Sequence, residues 1–178
     1  WRVEHFCEAE RMTTTLTVHP TPTTDFVPRP RKLRARPAHG AYTLIDGALD
    51  LGLVTGDSLY AVADTDGRHH VTDIDELRSG TLARIIVRGG LCIHHAAEFI
   101  DQARDDLRLA GAVSVHEREG VVWSFWPDSL SAEDVAVAVA RSAVEFGLAN
   151  SVCQEQSRPQ LIEALIHPGP PLPAIPFL

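Results

Sequence analysis

The sequence predicts an α+β fold: a small antiparallel sheet of two hairpins plus a central strand, packed by two or three helices, with extended N- and C-terminal tails. Three observations carry that expectation. Apolar residues alternate with period two on either side of compact turns at 64–67 and 117–120. They recur at spacings of three and four from Ile93 onward and again after Ser131. The first forty residues are rich in Thr, Pro and Arg, and the last eleven are dominated by Pro and scattered apolar residues.

Residues 13–40, "TTTLTVHPTPTTDFVPRPRKLRARPAHG", hold few large apolar side chains to repay the entropy of ordering, so 1–40 is expected to be a flexible arm. A compact body is expected over 41–150. It opens with a short helix, because Tyr42, Ile45, Leu49 and Leu53 approach helical spacing. "SLYAVA" and "RHHVTDI" flank Asp64-Thr65-Asp66-Gly67 and read as a hairpin, and "TLARIIVR" as a buried strand.

From Ile93, the positions Ile93, Ala96, Ala97, Ile100, Ala103 and Leu107 line one helical face, which ends near Gly111. "AVSVHEREGVVWSFW" alternates about Glu117-Arg118-Glu119-Gly120 and predicts a second hairpin. Val121, Trp123 and Phe125 share its core face, while Trp126 points the other way. Ser131 and Asp134 cap a helix over about 132–148, which carries only Arg141 and Glu145 as charges beyond its first turn and so predicts a largely covered circumference. Residues 151–178 are read as a short helix around Leu161–Ile166, then an extended tail after Pro168.

Composition excludes several function classes. With 44% hydrophobic and 22% charged residues over 178 positions, the chain is neither a disordered polymer nor a helical membrane protein. Cys7, Cys92 and Cys153 show no paired spacing, which argues for a reducing compartment; with no secretory pattern at the start, a cytoplasmic location is expected. Residues 1–11, ahead of the only methionine, Met12, are set aside from fold reasoning. Lys32 is the single lysine, and the arginine-, alanine- and valine-rich composition suggests a GC-rich bacterial or phage genome. The net charge is −8, yet Arg29, Arg31, Lys32, Arg34 and Arg36 cluster without an acid among them.

Candidate chemistry is sparse. Gly56-Asp57-Ser58-Leu59 resembles the nucleophile block of the serine esterases named for those four residues, and Asp66-x-x-His69 matches their acid–base spacing. In that family the acid and base lie far along the chain, and a Gly-x-Asn-Asp block supplies oxyanion donors. Here the pair follows within one hairpin and that block does not occur, so the four residues are expected to form a turn.

An acidic loop at Asp64, Asp66 and Asp73 fails as a calcium site because Val62 stands where its first oxygen ligand belongs. His94, His95 and Glu98 open the best helix at ligand-like spacing, with His69, His70, His116 and Cys153 as further donors, but solvated helix residues explain them as well. No cofactor or metal is expected.

The functional expectation that follows is a non-catalytic binding, regulatory or assembly protein. It would engage a protein partner, or a second copy of itself, through Arg29, Arg31, Lys32, Arg34 and Arg36 and through the tail anchors Leu172, Ile175 and Phe177. Two alternatives remain: a nucleic-acid-associated regulator using the basic arm, and a small hydrolase or metalloenzyme using the His/Glu cluster.

Overall fold

The computed structural model describes residues 13–19, 30–86, 93–145 and 152–156. These residues divide into two compact units between Arg78 and Ser79. The described chain is mostly β, and the expected small sheet packed by two or three helices is replaced by a closed barrel in one unit and a helix-backed sheet in the other.

The barrel runs β1 (Thr14–Val18), β2 (Arg31–Ala38), β3 (Ala41–Leu44), β4 (Ser58–Ala63) and β5 (His69–Glu76), each strand antiparallel to the next. A short parallel pairing of β1 with β5, Leu16 beside His69 and Thr17 beside His70, closes it. Closure removes the exposed edges that an open sheet must otherwise protect. Leu16, Val18, Leu33, Ala35, Leu44 and Leu59 fill the interior.

Much of the described part of the expected arm is therefore strand. The alternation is present in β2, where Leu33 and Ala35 point inward while Lys32, Arg34 and Arg36 are exposed. Proline and arginine density hides it from a composition argument. Pro37 is tolerated because the β1 register stops at Ala35, leaving that flank of β2 without a ladder partner.

The helix expected over 41–53 is also corrected. Leu44 pairs across the loop, its N–H donating to the Asp57 carbonyl and its carbonyl accepting from Gly56 N–H. Only Leu49–Leu51 forms a single 3₁₀ turn, ended by Gly52 at φ 77°. Of the residues at helix-like spacing Leu49 and Leu53 are buried, but Tyr42 and Ile45 are only half-buried, and Leu44 and Ala48 take the interior places instead. The hairpin between β4 and β5 forms at the expected turn. The Asp64 carboxylate accepts from the Asp66 and Arg68 N–H groups and holds it closed.

The second unit runs β6 (Gly80–Ile86), α1 (Ile93–Leu109), β7 (Ser114–Arg118), β8 (Val121–Pro127), α2 (Ala132–Glu145) and β9 (Val152–Gln156). Its sheet order is β7-β8-β6-β9, antiparallel throughout, the β-α-β-β-α-β arrangement of split βαβ units. β9 replaces part of the expected C-terminal helix-and-tail region.

Phe99, Ala103 and Leu107 of α1 and Val135, Val139 and Ala143 of α2 pack on Ala83, Ile85, Val115, Val122 and Trp126. The helix-packed face of β8 is thus the Val122–Ser124–Trp126 face, the opposite of the expectation, although Trp123 and Phe125 are buried too. The Trp126 indole N–H is satisfied by Ser124 Oγ at 2.9 Å, which makes the burial of that polar edge affordable. The turn between β7 and β8 falls as expected, with Glu119 and Gly120 both at positive φ. The expected helical turn near 161–166 and the tail beyond it lie outside the described residues. No helix among the described residues is long and apolar enough to cross a membrane.

Candidate interaction surface

Several of the barrel's polar groups are committed to the barrel itself. Asp57 is fully buried; its Oδ2 accepts from Val54 N–H at 2.7 Å and its Oδ1 from Arg78 N–H at 2.8 Å. The aspartate of the esterase-like block is therefore the clamp of a tight loop. The Ser58 hydroxyl donates to Asp75, which Tyr60 Oη also reaches at 2.7 Å; hydrogen bonds from Tyr60 and then Ser58 hold the Asp75 carboxyl below its usual range. On the β4–β5 ladder Ser58 stands opposite Glu76, whereas His70 stands opposite Val62. Four residues of strand, about 13 Å, separate the serine from that imidazole. His69 makes an edge contact with Tyr42, and Asp66 pairs with Arg68, so the esterase residues do not converge.

One imidazole chain does form. Asp64 Oδ2 accepts from His70 Nε2 at 2.9 Å, and His70 Nδ1 lies 2.8 Å from His19 Nε2 with the rings stacked. The carboxylate only accepts, so it fixes Nε2 as the donor; in the neutral ring Nδ1 then accepts from His19. The hydrogen bond from His70, followed by those from the Arg68 and Asp66 amides, lowers the Asp64 pKa. The chain links β1, β5 and the hairpin turn beside the parallel pairing that closes the barrel.

The sequence-derived partner residues separate. Arg29, Leu172, Ile175 and Phe177 lie outside the described residues. Arg34 forks onto Asp46 with Nε and Nη2 at 2.8 and 2.7 Å, and that hydrogen-bonded pair lowers the Asp46 pKa and raises that of Arg34. Arg31 reaches Asp50 at 3.5 Å. Two of the basic cluster's cations are thus spent within the barrel, while Lys32 and Arg36 stand exposed on its outer wall. Glu98 is exposed on α1, and His116 lies 3.4 Å from Ser114 Oγ. Among the described residues no group of three or more His, Cys, Asp or Glu is placed to hold a metal ion.

The second unit carries a surface of another kind. Between α1 and α2 lies a groove of about 420 Å³ with an apolar lining from Leu109, Ala110, Val137 and Ala138 and a polar rim that includes Asp106, Asp134 and Arg141. Leu109 is 86% exposed and Val137 63%, with Val113 close in sequence at 54%. The outer face of α2 continues this surface with exposed Ala136 and Ala140. This corrects the expectation that α2 would be covered around most of its circumference: among its described residues Val135, Val139 and Ala143 form the core stripe with Ala138 packed beside it, while Glu133, Ala136, Val137, Ala140 and Arg141 are exposed.

Ser142 lines the groove, and its buried Oγ has no hydrogen-bond partner among the described residues, in a position where a helical serine ordinarily bonds back to the preceding turn. Sequence reasoning noted the low charge of this helix and took it for core. A 14-residue helix resting on one face of a sheet has only one stripe to bury, so its surplus alanine and valine had to face outward.

One further pairing escaped the sequence. Arg84 of β6 stands opposite Trp123 of β8 and places its guanidinium 5.5 Å from the indole centroid. Burial lowers the Arg84 pKa.

No family model and no curated protein matches the chain. Among solved structures it is similar to a hypothetical protein from Neisseria gonorrhoeae, at 12% identity and a TM-score of 0.48, over 82% of this chain and 93% of that one.

Proposed function

We propose that the chain is a non-catalytic binding or assembly protein whose helix-bearing unit docks a protein partner on the α1–α2 face. The observation that supports this reading is the groove itself: an apolar lining with Leu109 and Val137 standing out into solvent, a mixed-charge rim, and a buried serine hydroxyl without a partner among the described residues. Large apolar residues grouped on one face and rimmed by polar groups mark contact sites for other macromolecules.

The basic residues support a smaller part in recognition than the sequence suggests. Arg31 and Arg34 already hold acids of their own barrel, leaving Lys32 and Arg36 as the exposed cations of β2 outside those pairs. So few phosphate contacts confer weak, strongly salt-dependent affinity, which sets the nucleic-acid alternative behind the protein partner.

A photoreactive phenylalanine derivative placed at position 137 tests the reading in living cells, with the same residue at Arg68 on the barrel turn as the control. Protein adducts are expected from position 137 well above those from position 68. Equal yields from the two positions would refute docking on the helices.

A further inference from the structure

We infer that the partner on the α1–α2 face is a second copy of this chain, packed about a two-fold axis that passes beside Val137. The inference rests on the reading of that face as a protein-docking surface and adds the identity of its occupant. The argument is one of self-complementarity. Glu133, Val137 and Arg141 succeed one another at four-residue intervals along α2, so they form one ridge beside the groove: an acid, an apolar residue and a base. All three are exposed.

Val137 is the midpoint of that ridge. When two such helices meet antiparallel about an axis at Val137, Val137 meets its own copy, each Arg141 meets the other chain's Glu133, and each Glu133 meets the other chain's Arg141. A parallel meeting would instead oppose like charges, at a cost. Ala136 and Ala140 flank the ridge and let the two backbones approach closely, and the apolar groove beside it, with Leu109 on the far bank, receives the partner's ridge. The antiparallel arrangement also opposes the two helix dipoles favourably. A patch that is complementary to itself in both charge and shape is what an isologous interface requires of a single surface.

Sedimentation velocity on the purified full chain from about 5 to about 200 µM, the span in which a micromolar dimer dissociates, reads the association directly. The wild type is expected to reach twice the 19.5 kDa chain mass. Val137→Glu buries a carboxylate against its own copy on the axis and is expected to raise the dimer Kd by more than about 100-fold. Its circular dichroism and thermal midpoint should not change, because Val137 lies outside the core of the monomer.

Glu133→Arg and Arg141→Glu are each expected to raise Kd by about 10-fold, since each places like charges across the axis. The double exchange Glu133→Arg/Arg141→Glu should restore Kd to within about 3-fold of wild type. Restoration by the double exchange is peculiar to a two-fold contact of identical ridges; a foreign partner would lose both contacts.

A wild type that stays monomeric across the range overturns the inference, and so does a dimer indifferent to Val137→Glu or not restored by the double exchange. If the wild type is monomeric while position 137 still crosslinks to another protein in cells, the second copy fails and the docking reading survives. A monomer with no crosslinks removes both.

Discussion

The barrel and the helix-backed sheet treat their polar residues in opposite ways. In the barrel, Asp57 clamps two backbone amides, Arg34 forks onto Asp46, and Asp64 holds both its turn and His70. On the α1–α2 face, apolar side chains stand in solvent and a buried hydroxyl has no partner among the described residues. A surface whose polar groups are mutually satisfied has little left to offer another molecule, whereas one with unspent apolar area and unmet hydrogen-bonding capacity gains by contact. On the proposed reading the barrel's conspicuous residues are structural, and recognition would fall to helices whose residues look unremarkable in sequence.

The largest expected effect comes from Gly80→Ala, which would break the second unit alone. A Cβ at that position would lie 2.3 Å from the Trp126 carbonyl oxygen and 2.5 Å from the Phe125 ring, both parts of the sheet core with no room to yield. A loss above about 3 kcal/mol is expected, by analogy with severe overpacking, and tryptophan fluorescence in a urea titration should report it first.

Next in size, Asp57→Ala would strike the barrel by leaving the Val54 and Arg78 amides without their acceptor. The expected cost is about 2–4 kcal/mol in chemical denaturation, while Ser58→Ala, next in the same block, should stay within about 0.5–1 kcal/mol. A Ser58→Ala cost as large as that of Asp57→Ala would show that the serine, and not the aspartate, organises the loop.

Acid should sharpen the contrast. Asp46, Asp64 and Asp75 in the barrel all have folded-state pKa values below the ordinary 3.8, through hydrogen bonds from Arg34, His70 and Tyr60 respectively. Groups depressed in this way add stability that is fully present above their unfolded value and is lost as pH falls through the folded one. The urea midpoint of the barrel should therefore be flat above about pH 5 and decline below about pH 4. Asp46→Asn and Asp64→Asn should each make that decline shallower; an unchanged slope in both would mean that these pairs do not hold in solution.

The smallest effect belongs to the other unit. Ser142→Ala removes a hydroxyl that has no hydrogen-bond partner among the described residues, so monomer stability should be unchanged or raised by up to about 1 kcal/mol. A loss of more than that in differential scanning calorimetry would mean the hydroxyl is already satisfied within the helix pair.

Elements whose pattern is local were legible. Ile100, Ala103 and Leu107 recur at spacings of three and four, and Glu119-Gly120 sits between two alternating runs, so α1 and the β7–β8 hairpin could be placed without knowing what they touch, although those spacings leave Phe99 out of the buried face. The barrel's first strands were not legible in the same way. Thr14–Val18 and Arg31–Ala38 are short and polar on one side, and they draw their ordering from partners elsewhere in the chain. β9 shares that difficulty, since "VCQEQ" becomes a strand by pairing with β6. The α1–α2 face was missed for a related reason: a run of valine and alanine announces burial but does not say how much core is available to receive it.

What the sequence determined by itself were the local periods and the turn positions, because each depends on residues within a few positions of one another. The tertiary structure alone decided that the barrel closes, which face of β8 meets the helices, and which apolar residues remain in solvent. Those outcomes follow from long-range pairing and from competition for a limited interior, and neither quantity is written in any short stretch of chain.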